Sequence, residues 1–305
     1  MKEQTPKIFY KYLSIDRAIQ VLQNQSIRFS QANFLNDAFE LLPSLDIQRI
    51  KKGFIESSDT SNNLHGLDKF ALGVTQFFLS EYESAGILCL SEEFDIPLMW
   101  AHYASNYSGI VVGFDISEGL TLDSASIPNS CNSAKVNYSK YRFKYPNLEP
   151  KPFDFMFHKD ECWQYEKEWR IVRTLDTLIN IGNDVYISKF NSKAVRCVIF
   201  GPLVEHASIH KVLEVLRNDE FSHVGRYISY LSDNKFEIDI EYLTSMFSDE
   251  SEMIYSKEEL RLRRFREKML SKGELYKAME VLDEKTKFAT FKSQVNLYTG
   301  EIIKT

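Results

Sequence analysis

Apolar residues repeat along this chain with two different periods, and the changes of period mark out its elements. Residues 8–13 (Ile-Phe-Tyr-Lys-Tyr-Leu) are rich in aromatic and β-branched side chains and predict a strand. Ser14 then caps a helix in which Ile15, Ala18, Ile19 and Leu22 share one face. A turn at Asn24 and Gln25 leads to a second short strand over 26–30, so the chain opens strand, helix, strand. Residues 31–40 form a polar loop anchored by Phe34, Leu35 and Phe39, with Asn36 and Asp37 as a turn pair that could equally present ligand-facing groups.

Beyond this loop the pattern predicts helices over 45–55 and 67–79, separated by a polar stretch. Strands follow over 86–91 and 110–115, with a short helix over 96–104 between them and Pro97 in its first turn. A strand is expected near 135–138, an irregular segment over 141–152 and a short helix over 153–162. Later strands fall at 185–190, 195–200 and 236–242, and a helix over 205–217 turns Ile209, Val212, Leu213 and Leu216 inward. Near residue 247 the character changes. A mixed-charge helix over 257–270 and a terminal hairpin around Thr299 and Gly300 are expected there.

The densest mixture of charge and aromatics is residues 162–172, Cys-Trp-Gln-Tyr-Glu-Lys-Glu-Trp-Arg-Ile-Val. If 166–172 is a strand, Glu166, Glu168 and Arg170 share one face and Tyr165, Trp169 and Ile171 the other. The second face suits a core. The first is either a solvated surface or the wall of a polar cleft.

Composition narrows the classes of function. The chain has 305 residues, 44% hydrophobic and 26% charged, which is ordinary for a soluble globular protein. Its net charge of −6 argues against broad, non-specific nucleic-acid binding. Cys89, Cys131, Cys162 and Cys197 are scattered without a C-x-x-C pair, so neither a common zinc site nor a disulfide framework is expected. The N-terminus has no apolar signal core and no stretch is long enough to span a membrane, so a cytoplasmic protein is expected. Phosphate-cradling glycine loops, H-E-x-x-H and G-x-S-x-G are all missing, and no metal is expected. Carboxylate, arginine, tyrosine and amide chemistry remains. Glu166 and Glu168 could hold a ribose hydroxyl and favour positive charge developing on a sugar carbon.

Several segments together resemble a bacterial family classed as a domain of unknown function (family 2971). They are residues 9–13, 27–30 and 34–40, Cys89-Leu90-Ser91, residues 98–104 and 109–115, and residues 163–170. A more distant similarity is to ADP-ribosyltransferases, in the order first strand, helix, second strand ending in Ser, and late Glu-x-Glu strand. That similarity implies Glu168 as the catalytic glutamate, with Glu166 two residues before it. It places Ser30 at the second-strand position, and Tyr10 or Tyr12 facing a bound NAD. Those enzymes usually carry Arg or His on the first strand, where this chain has Tyr and Lys.

The resulting expectation is an α+β fold, a mixed, mostly antiparallel bent sheet surrounded by helices. Residues 1–245 would form the main domain, and 246–305 a helical extension. The leading functional expectation is NAD-dependent glycosyl transfer by Glu168, Glu166 and Arg170 on a protein or nucleic-acid target. The alternative is a non-enzymatic nucleotide or ligand sensor, with Asn36, Asp37, Trp100, His102 and Arg170 around its pocket. A weaker alternative is a metal-dependent nuclease using Asp37 and Glu168. His102 and Trp100 also have a plain reading as packing residues.

Overall fold

The computed structural model describes residues 8–44, 48, 52, 64–118, 131–144, 153–232 and 234–243. The expectations for a helix over 45–55 and for everything beyond residue 245 lie almost wholly outside them. The described strands are β1 (Ile8–Leu13), β2 (Ser26–Phe29), β3 (Ala85–Ser91), β4 (Ile110–Asp115), β5 (Cys131–Lys135), β6 (Asn137–Tyr138), β7 (His158–Lys159), β8 (Glu168–Thr174), β9 (Ile179–Asn180), β10 (Tyr186–Lys189), β11 (Val195–Phe200), β12 (Gly225–Leu231) and β13 (Ile238–Tyr242). The α-helices are α1 (Ile15–Asn24), α2 (Leu64–Ser84), α3 (Pro97–Tyr103) and α4 (His206–Val215).

An eight-stranded sheet in the order β13-β12-β11-β4-β1-β3-β8-β5 carries the fold. Its pairings are antiparallel except β11 with β12, so the fold is α+β with a large, mostly antiparallel sheet. A smaller sheet, β2-β10-β9, stands beside it. No described helix is long and apolar enough to cross a membrane.

Strand alternation divides the apolar side chains between the two faces of the large sheet. Phe9, Leu88, Val112, Phe114, Ile171 and Val198 join Ala18 and Leu22 of α1 and Ile209 and Val212 of α4 in the main core. On the opposite face two smaller clusters form. Ile87 and Val172 pack with Phe78 of α2 and with Phe155 and Met156, while Tyr12 and Val111 pack with Met99 and Trp100 of α3. The candidate site lies on this second face.

Several elements differ from the sequence reading. The strand expected over 166–172 starts only at Glu168. Glu161–Glu166 is a 3-10 helix, capped by the Asp160 side chain accepting from the Cys162 amide and ended by Lys167 at φ 45°. The helix expected over 153–162 is instead a 3-10 turn, Asp154–Phe157, followed by the two residues of β7. Aromatic residues dominate that segment, so it packs as an irregular apolar plug and the 3.6-residue pattern has no single face to bury. The second predicted helix is longer than its pattern and runs directly into β3. β12 went unrecognised because its inward positions are Tyr, Ser and Ile without clean alternation.

Candidate functional site

Glu168 and Arg170, two apart on β8, project to the second face while Trp169 and Ile171 pack into the main core. Arg170 is wholly buried and closes a fork on Glu168, Nε donating to Oε1 at 2.9 Å and Nη2 to Oε2 at 3.0 Å. Its Nη1 donates to the Met156 carbonyl at 2.5 Å, and Nη2 also donates to Glu40 Oε1. The left-handed turn at Lys167 brings Glu166 back beside Glu168 although it is not on the strand.

Lys159, delivered by β7, ties these acids together. Its ammonium donates to Glu166 Oε2 at 2.6 Å and to Glu168 Oε2 at 3.3 Å, and stands 3.6 Å from Glu40 Oε1. The Trp163 ring lies 4.9 Å from it. Glu166 Oε1 accepts from the Tyr103 hydroxyl at 2.6 Å, and that hydroxyl accepts from Asn36 Nδ2 at 2.8 Å. Ser91 Oγ holds the Glu166 carbonyl at 2.7 Å, and Tyr138 accepts from the Glu168 amide at 2.8 Å. The polar face expected to meet water or ligand is therefore mostly internal, with Glu166 at 2% and Glu168 at 4% exposure. Glu40 Oε2 is buried with no hydrogen-bond partner among the described residues.

The electrostatics follow from this burial. Loss of solvent raises the Glu168 pKa, with Lys159 pulling it the other way. Burial would lower Lys159, but the charges of Glu168 and Glu166 outweigh it and its pKa is raised. Burial and then the negative charge of Glu166 raise Tyr103, which stays protonated and donating. Cys89 lines the same cavity, and burial followed by the negative charge of Glu168 pushes its thiol pKa well up.

A cavity of about 210 Å³ opens over this network. Of the residues singled out from the sequence, Tyr10, Tyr12, Ser30, Asn36, Glu166 and Glu168 line it, joined by Lys11, Glu40, Tyr103 and Lys159. Arg170 sits behind the carboxylates and positions them. Trp100 is fully buried, edge-on to Tyr12 at 5.5 Å, with its indole nitrogen donating to the Phe94 carbonyl at 2.6 Å. His102 is exposed on α3 and outside the cavity lining. Asp37 is also outside it, its Oδ1 accepting from the Phe39 amide at 2.9 Å, which is the turn role. Among the described residues no group of three His, Cys, Asp or Glu is arranged to hold a metal ion.

Lys159, Glu40 and Tyr103 were missed as site residues. Lys159 lies in a segment that reads as helix, and Glu40 ends a loop whose visible signal is its Asn-Asp turn. Tyr103 could have been found, because it shares the Leu98–Ala104 segment with two residues that were singled out.

Residues 99–171 match the family described as "Protein of unknown function (DUF2971)". The DUF2971 segment runs from α3 to β8 and contains Tyr103, Lys159, Glu166, Glu168 and Arg170. The cavity residues of β1 and β3, Ser30 and those of the 31–40 loop lie outside it. No curated protein and no solved structure matches the chain.

Proposed function

We propose that this chain binds a nucleotide such as NAD with its ribosyl group in the cavity and transfers the ADP-ribosyl group to a protein or nucleic-acid target, with Glu168 and Glu166 as the acidic pair. The C1′–nicotinamide bond breaks as the bond to the target forms, and nicotinamide leaves. The observation that carries the reading is that both carboxylates line one cavity with Tyr103, Asn36 and Ser30. Glycosyl transfer passes through an oxocarbenium-like state, which a fixed, ionised carboxylate favours. Lys159 and Arg170 hold the carboxylates in place, and the Lys159 ammonium works against the burial that raises the Glu168 pKa. Tyr103, tethered by Glu166 and Asn36, is placed to orient a sugar hydroxyl. The cavity volume is below the roughly 300–1,000 Å³ of pockets that enclose a drug-sized ligand. It suits one ring of a dinucleotide, with the remainder lying outside.

A second reading, a nucleotide sensor without turnover, has one observation in its favour. All four carboxylate oxygens of Glu166 and Glu168 already have partners inside the protein. Incubation with labelled NAD and candidate protein and nucleic-acid targets separates the readings. Nicotinamide release or label transfer that disappears in Glu168→Gln is expected for the enzyme. A thermal shift with NAD but no turnover in either form would favour the sensor.

A further inference from the structure

On β2, Ile27 and Phe29 enter the main core, leaving Arg28 on the other face, and Ser30 follows directly after the strand. Ser30 lines the cavity, and so does Phe34. The Arg28 guanidinium stacks on Phe34, 5.1 Å from its ring centroid, and Phe34 itself is 57% exposed. Arg28 is only partly exposed, and its Nε is buried with no hydrogen-bond partner among the described residues. None of the ion pairs among the described residues involves Arg28 or its neighbour Arg17. Burial and then the like charge of Arg17 lower the Arg28 pKa. A partly buried guanidinium with an unpartnered Nε and no ion pair among the described residues lacks the anion that would stabilise it. Its stacking partner marks the edge of a cavity large enough for one sugar or base.

We infer that Arg28 binds a phosphate of the nucleotide whose ribosyl group occupies the cavity, and that Phe34 packs against the same ligand at the rim. This rests on the ribosyl-binding reading above and adds a phosphate subsite to it. The fork of Arg28 matches phosphate oxygens, and the exposed ring of Phe34 on which it stacks lines the cavity.

Nicotinamide mononucleotide and nicotinamide riboside differ by a single phosphate and test this by calorimetric titration. Wild type is expected to bind the mononucleotide roughly tenfold more tightly, as suits one charge-assisted contact. Arg28→Ala should bring the two ligands together, and Arg28→Lys should retain part of the preference, because it keeps the charge but loses the fork. Glu168→Gln should weaken both ligands and leave their ratio unchanged. Equal binding of the two to wild type, or an undiminished preference in both Arg28 variants, overturns the phosphate subsite while the ribosyl reading stands. Failure of wild type to bind either ligand overturns both. Far-ultraviolet circular dichroism melts of each variant establish that it is folded, and the Lys form carries the test where the Ala form is not.

Discussion

Lys159 brings one positive charge to a place where Glu40, Glu166 and Glu168 meet almost out of reach of water. Removing it leaves buried negative charge opposed only by Arg170, and breaking a buried ion pair from one side typically costs about 3–5 kcal/mol. Lys159→Met is expected to lose stability of that order at neutral pH in urea unfolding. A loss below about 1 kcal/mol would mean that the carboxylates are not ionised together in the folded protein. Glu168 gives a signed pH dependence. Its folded pKa is raised by burial, so between the unfolded carboxylate value and that raised value the folded state holds the proton more tightly. Stability contributed by this group therefore rises as the pH falls through that window. The difference in unfolding free energy between wild type and Glu168→Gln should move in favour of wild type as the pH falls toward the unfolded carboxylate value. Movement in the opposite direction would show that Lys159 and Arg170 overcome the burial and depress this pKa.

The turn at Lys167 decides how the two glutamates meet. Alternation along a continuous strand would have put Glu166 and Glu168 about two residues of rise apart. The 3-10 helix and the left-handed Lys167 instead bring both onto one ammonium. Lys167 also closes the turn through its amide, which donates to the Gln164 carbonyl at 3.3 Å, and its own carbonyl accepts from Glu92 at 3.1 Å. Lys167→Gly relieves the left-handed backbone and gives up only a half-exposed ion pair with Glu93, so stability should change by less than about 1 kcal/mol. Lys167→Pro cannot adopt φ 45° and loses the amide, and should cost at least about 2 kcal/mol in the same unfolding measurement. Equal effects of the two substitutions would show that the backbone of this turn is unimportant to the fold. At this scale the sequence was legible where periodicity was clean. β1, α1, β2, β4, β11 and α4 lie where their patterns put them. It was illegible at 153–167, where aromatic and charged residues are interleaved in short 3-10 turns and a two-residue strand.

Over the whole molecule, the face of the sheet that holds the site was readable and its depth was not. Alternation correctly separated Trp169 and Ile171 from Glu168 and Arg170, because it depends only on neighbours in sequence. That the charged face would be covered depends on Glu40, 130 positions from Arg170, and on Phe155 and Met156, and no local pattern announces such partners. The fork from Arg170 to Glu168 and Glu40 thus joins β8 to a loop near the start of the chain. Residues 99–171, the part that matches the family, hold most of the charged network but none of β1, β2 or β3. Chain synthesis must therefore run past Arg170 before its guanidinium can close on a carboxylate that emerged 130 residues earlier. The site is assembled only when β1, β3, β8 and the 31–40 loop are all present, and it is not a portable cassette.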